Sequence, residues 1–152
     1  MAGREYETTM ECLMPLFRER LAAGQKIQFS PRGVSMLPML RQGKDTVILS
    51  PLPETLRKYD LPLYQREDGK YILHRIVEVG DTFTCIGDNQ YQYEPGVRRE
   101  QMIALVTAFT RGGREISVDH PMYRAYCILW HRSRGIRHFL LRVKNKLRRM
   151  LK

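Results

Sequence analysis

Three short runs hold residue types that can do chemistry together. Gly33-Val34-Ser35-Met36-Leu37-Pro38 places a serine just past a Pro31-Arg32-Gly33 break. A chain turning sharply there exposes a side chain, and Gly33 lets the backbone approach a substrate or take an unusual φ. A serine hydroxyl is a poor nucleophile until a neighbouring base takes its proton. Ile72-Leu73-His74-Arg75-Ile76-Val77 offers that base. If the run is extended, Ile72, His74 and Ile76 share one face and Leu73, Arg75 and Val77 the other. An imidazole among isoleucines is driven toward its neutral form, the form a general base needs. Ile86-Gly87-Asp88-Asn89 adds an acid that can orient an imidazole or hold the loop around it. Backbone N–H groups beside Ser35 can stabilise an oxyanion, a contribution of ~3–4 kcal/mol. Taken singly, each run has a plainer reading: a loop serine, a satisfied core histidine, a turn.

These residues need elements to hold them. Cys12, Leu13, Leu16, Phe17 and Leu21 fall at helical spacing, so a helix is expected from Tyr6 to Ala23, capped by Thr8 or Thr9. Pro15 sits badly inside it, and a start at Pro15 is the alternative. Gly24 is a plausible stop. From Lys26 the period becomes two. Strands are expected at Lys26–Ser30, Asp45–Leu49, Leu61–Arg66, Tyr71–Val79, Thr82–Ile86, Met102–Thr110 and Glu115–Val118. Asp68-Gly69, Gly80-Asp81 and Gly112-Gly113 mark turns between them. Many short strands at this spacing predict a small barrel or sandwich. After Pro121 the pattern is helical again, from Met122 to Met150, with Gly135 as the expected break.

In this order, the three runs resemble one family. Ser35-Met36-Leu37-Pro38 resembles the Ser-Met-x-Pro nucleophile box of the signal peptidase I clan, which also holds the LexA-type self-cleaving repressors. His74-Arg75-Ile76-Val77 is similar to the His-Arg box of the endoplasmic-reticulum and sporulation-type signal peptidases. Gly87-Asp88-Asn89 is similar to their Gly-Asp-Asn box, and Val97 to Phe109 resembles the strand that follows. The resemblance covers Phe29 to Phe109. It implies a mainly β catalytic core and peptide-bond hydrolysis by Ser35 as nucleophile and His74 as base. Gly33, Met36 and Pro38 would shape the nucleophile loop. It implies no cofactor and no metal, and small residues before the cleaved bond. Two acids are candidates for a supporting role: Asp88 within the box, which is favoured, and Glu94, near where the eukaryotic-type enzymes place an Asp. Three departures stand out. No N-terminal membrane anchor is evident, Gly33 replaces a serine donor that many members carry, and Tyr59-Asp60 replaces the common Gly-Asp turn.

Charge divides the chain. Met122 to Lys152 holds ten of the 26 Lys and Arg residues and no Asp or Glu; the other sixteen basic residues balance the sixteen acids of the body. The net +10 is therefore the tail's, and any anionic partner should meet the tail. A basic amphipathic helix with Tyr123, Tyr126 and Trp130 near its start suits an anionic membrane surface. Nucleic acid fits the charge, but no helix-turn-helix precedes the core. The third reading packs the apolar stripe on the domain and leaves the charges in water. Cys12, Cys85 and Cys127 are too few and too scattered for a disulfide framework or a zinc site, which points to a reducing, cytoplasmic compartment.

The sequence thus predicts a helical segment over 1–25, a peptidase-like β domain over 26–119 and a basic helical tail over 120–152. The expected partner is a peptide or protein substrate. The competing expectation is a catalytically silent peptide-binding or LexA-like regulatory protein whose tail meets nucleic acid or membrane.

Overall fold

The computed structural model describes residues 9–150. Positions 6–8 of the expected first helix, with Thr8 as a cap, lie outside the described residues, as does Lys152. Within the described part the fold is a β-rich core of antiparallel sheets with one helix before it and two after it.

The first helix, α1 (Met10–Ala22), starts after Thr9 and keeps Pro15 inside rather than starting there. Its buried side chains are Met14, Phe17 and Leu21, one stripe at helical spacing. Leu16 and Cys12, expected on that stripe, are exposed. The stripe closes one side of the larger core, where Phe17 meets Phe29 edge-on at 5.6 Å.

Nine strands follow: β1 (Ile27–Phe29), β2 (Thr46–Ser50), β3 (Pro62–Gln65), β4 (Tyr71–Leu73), β5 (Arg75–Val79), β6 (Phe83–Ile86), β7 (Glu94–Val97), β8 (Met102–Arg111) and β9 (Arg114–Ser117). A six-stranded sheet runs β1-β2-β8-β3-β4, and β9 also pairs with β8. The second sheet is β5-β6-β7. The long strand β8 is the spine. Ala104 pairs with Leu63 and Phe109 with Ile116, so β3 and β9 follow one another along one edge, while β2 takes the other. The Asp68-Gly69 and Gly112-Gly113 turns form where expected, with positive φ at all three glycines.

One correction bears on the site. Tyr71–Val79 is not a single strand. It breaks at His74: β4 pairs with β3 in the large sheet, and β5 pairs with β6 in the small one. His74 is the residue at which the chain changes sheets. The sidedness expected from alternation survives. Ile72 and Ile76 pack with Tyr64 in the smaller core, and Leu73 packs against the larger.

The tail begins with α2 (Pro121–Arg132), whose N-cap His120 accepts a hydrogen bond from the Met122 N–H at 3.2 Å through Nδ1. Tyr123 and Cys127 are buried in the larger core, so α2 belongs to the body. The break then falls at Ser133, not at Gly135, and α3 (Arg134–Met150) carries Gly135 in its first turn. Among the described residues no helix is long and apolar enough to cross a membrane.

Candidate active site

Ser35 sits in a tight loop whose outer ends are fixed. Gly33 takes φ +94°, a left-handed conformation suited to glycine, and its N–H donates to Gln42 Oε1 at 2.8 Å. Met36, Met39 and Leu40 anchor the loop in the core. Arg41 forms a two-pronged pair with the fully buried Asp45, at 2.8 Å for each prong. Arg111 donates to the carbonyl of Pro38 at 2.7 Å and also to that of Met39. Ser35 itself is half-buried. Among the described residues neither the Ser35 nor the Met36 backbone N–H has a hydrogen-bond acceptor, so both remain available as donors.

The Gly87-Asp88-Asn89 loop grips the Ser35 loop directly. Asn89 N–H donates to Ser35 O at 2.8 Å, and Asn89 Nδ2 to Val34 O at 3.1 Å. The contact is close enough to demand glycine: a Cβ on Gly87 would lie 2.6 Å from Ser35 O.

His74 and Ser35 line one cleft of about 590 Å³, together with Gly33 and Met36. Its walls come from α1, the β1–β2 connection, β3 and β4, with Phe29, Leu63 and Leu73 as apolar surface and Arg32 and Lys70 as basic residues. His74 is 3 % exposed. Its Nδ1 lies 3.5 Å from Tyr64 Oη and 3.7 Å from Glu94 Oε2. Tyr64 Oη already donates to Glu94 Oε2 at 2.7 Å, so toward the imidazole it can only accept. A carboxylate also only accepts. Both neighbours therefore favour the proton on Nδ1 and leave the Nε2 lone pair as the base. Burial pushes His74 down to about 4, although the Glu94 charge pulls upward. The imidazole is neutral at pH 7. Burial alone would raise the Glu94 carboxyl, but Arg66, at 2.5 and 2.7 Å, and Tyr64 hold it below its ordinary value.

Asp88 has a different place. It is buried and meets Arg75 in a two-pronged pair at 2.8 and 2.7 Å. Arg75 also donates to Tyr123 Oη and Cys127 Sγ, each at 2.9 Å, and to Tyr59 O at 3.1 Å. Tyr126 Oη donates to Asp88 Oδ2 at 3.1 Å, and Trp130 Nε1 to Asp88 O at 2.8 Å. Tyr59 holds φ +74°, a left-handed backbone that favours glycine, at the turn into Asp60.

The structure thus brings Ser35, His74, Gly33 and Met36 to one cleft and puts Glu94, not Asp88, at the imidazole. Pro38 is exposed, does not line the cleft, and offers its carbonyl to Arg111. Among the described residues Ser35 Oγ has no hydrogen-bond partner, so the Ser–His pair is not closed; such bonds often tighten only with substrate in place. No known protein family, curated protein or solved structure matches this chain. Tyr64 and Arg66 were not foreseen as site residues. Their signal was their spacing, two apart within the expected Leu61–Arg66 strand and so on one face, although β3 ends at Gln65. Among the described residues no cluster of His, Cys, Asp and Glu is suited to a metal.

Proposed function

We propose that the protein is a serine endopeptidase of the signal-peptidase type, acting on peptide or leader segments through Ser35 and His74. One observation carries this reading: the two side chains line one cleft, and Glu94 and Tyr64 lie beside Nδ1 of the imidazole. Ser35 Oγ attacks the scissile carbonyl while its proton passes to Nε2 of His74. The oxyanion meets the N–H groups of Ser35 and Met36. The tetrahedral centre collapses, the C–N bond breaks, and His74 gives its proton to the leaving amine. Water then attacks the acyl-enzyme with His74 as base again, releasing the acid and restoring Ser35. Glu94 stabilises the transient imidazolium. β1 and β4 are edge strands of the large sheet, and both reach the cleft, so an extended peptide can pair with an edge there. The unpaired cysteines suit a reducing, cytoplasmic setting.

The test is Ser35→Ala and His74→Ala, incubated beside the unaltered protein with a peptide library and read by mass spectrometry. Cleavage by the parent, lost by at least ~10²-fold in each variant, is expected. Cleavage that persists in either variant removes the assigned roles. A second reading, a silent peptide-binding protein, is favoured by the unclosed Ser–His pair. It predicts that library peptides are retained by parent and variants alike and that none is cut.

A further inference from the structure

The two tail helices are treated very differently by the rest of the molecule. α2 is packed into the body. α3 is attached only through its first turns: Arg134 donates to Gln90 O at 2.5 Å, the Arg137 guanidinium lies 3.5 Å over the Trp130 ring, and His138 stacks on Tyr91 at 4.5 Å. Beyond His138 every described residue is exposed. Ile136, Phe139, Leu140, Val143, Leu147 and Met150 form one stripe at helical spacing, and Ile136, Phe139 and Met150 are each about two-thirds exposed or more (66 %, 65 % and 73 %). Monomers rarely leave so long an apolar stripe in water. At 100° per residue, Lys144 falls beside one edge of the stripe and Lys146 beside the other, with Arg142, Arg148 and Arg149 behind them. No acidic residue lies anywhere in α2 or α3.

We propose that α3 docks the protein on an anionic lipid bilayer, lying in the interface plane with the Ile136–Met150 stripe among acyl chains and the flanking lysines and arginines at headgroup phosphates. Charge complementarity selects this occupant. A second copy would bring another strongly basic helix against the first with no acid to offset it. Nucleic acid would meet the cations but leave the stripe wet. A bilayer satisfies both faces, and long basic side chains at the stripe's edge can extend to the headgroups while their stems stay apolar. The first-turn contacts to Gln90 and Tyr91 join this helix to the segment just after Asn89, so the docked helix is tied to the loop that holds Ser35.

The experiment sediments the full chain with vesicles of phosphatidylcholine alone or with about 30 % phosphatidylserine, at low salt and at about 0.5 M salt. Two variants accompany it: Phe139→Ser with Leu147→Ser, and Lys144→Gln with Lys146→Gln. All four positions are exposed, so the fold should persist, as circular dichroism will verify. The parent is expected on anionic vesicles, released by salt and poorly retained by neutral ones. The serine pair should weaken binding by roughly tenfold or more, since each residue loses an apolar burial. The glutamine pair should weaken it less, through charge alone. Failure to bind anionic vesicles overturns the proposal, as does equal binding to neutral ones. So does anionic binding that the serine pair leaves unchanged, because the stripe would then not be in the lipid. A dimer dissolved by the serine pair, or a preference for an oligonucleotide over the vesicles, assigns the surface to another occupant and likewise overturns it.

Discussion

Two acid–arginine pairs lie on either side of one turn of chain, and they do opposite things. Asp88 with Arg75 is sealed: both side chains are buried, and tyrosines, a cysteine, a tryptophan and a carbonyl take up the remaining donors and acceptors. Glu94 with Arg66 is partly in water, with about a quarter of Glu94 exposed, and Glu94 Oε2 also lies 3.7 Å from His74 Nδ1. His74 and Arg75 are consecutive, so the change of sheet at His74 sends one side chain to each pair. An acid with all its neighbours satisfied can only hold a loop in place. An acid that also lies beside an imidazole can stabilise a charge that appears there during a reaction. Position inside a motif does not decide which role an acid can take; its neighbours do.

The sharpest way to break this contrast is to remove one partner from each pair. Arg75→Met leaves Asp88 buried without its counter-charge. Such a loss is worth ~3–5 kcal/mol, a fall in Tm on the order of 10 °C for a chain of this size. Thermal unfolding measures it. A fall of only a degree or two would mean that the sealed pair is not what holds the loop. Arg66→Met, by contrast, should cost much less stability, because its pair is partly in water.

Glu94→Gln probes the open pair through rate instead. Cleavage should slow by roughly 10²-fold with little change in Tm, since the transient imidazolium loses its stabilising charge. The pH profile carries a second signature. In the proposed mechanism His74 must be neutral, so kcat/KM should fall in acid as His74 takes a proton near pH 4. The Glu94 charge favours the protonated form, so its removal moves that limb to lower pH. Stability follows the same group. His74 in the fold lies below its unfolded value of 6.5, so the neutral form is favoured on folding. That contribution is fully present above pH 6.5 and is lost as pH falls toward 4. An acid limb that moves upward in Glu94→Gln would reverse the assigned electrostatics.

Gly87→Ala tests the contact through which the loop of the sealed pair reaches Ser35. The added methyl meets Ser35 O at 2.6 Å and Gln90 Oε1 at 3.0 Å. Ser35 must shift, or the loop must open. A cost of ~1–3 kcal/mol is expected, with a larger loss of cleavage than of Tm. Unaltered cleavage would separate the position of Ser35 from the grip of the Asp88 loop.

Sequence legibility followed the same division between local and distant causes. β2, β3, β6, β8 and β9 and the glycine turns were readable because alternation and turn chemistry are local. The three runs stand out in the sequence, and in the fold Asn89 bonds to Ser35 while Ser35 and His74 line one cleft. The break at His74 was not: every residue from Tyr71 to Val79 suits a strand, and only pairing with two different partners divides the run. The different surroundings of the two acids were hidden for a like reason. Arg75 has no role legible from its neighbours in sequence, because its bond to Asp88 is a tertiary event. In α1, Leu16 and Met14 both fit an apolar helix, and the core chose Met14. The tail's pattern is the same whether its stripe is buried or exposed. Tyr123, Tyr126 and Trp130, expected at a membrane, instead meet Arg75 and Asp88.

Trp130 gives the finest test, because it joins the sealed pair to the tail without carrying charge. Its Nε1 donates to Asp88 O, and its ring supports the Arg137 guanidinium at 3.5 Å. Trp130→Phe keeps an aromatic ring and removes the donor. One hydrogen bond is worth ~1 kcal/mol, so Tm should fall by only a few degrees. If the sealed pair governs Ser35 through the loop, cleavage should fall several-fold while the acid limb set by His74 stays where it was. A shift of that limb would mean that the two pairs communicate, and the contrast between a holding acid and a reacting one would have to give way to a single coupled network spanning both sheets.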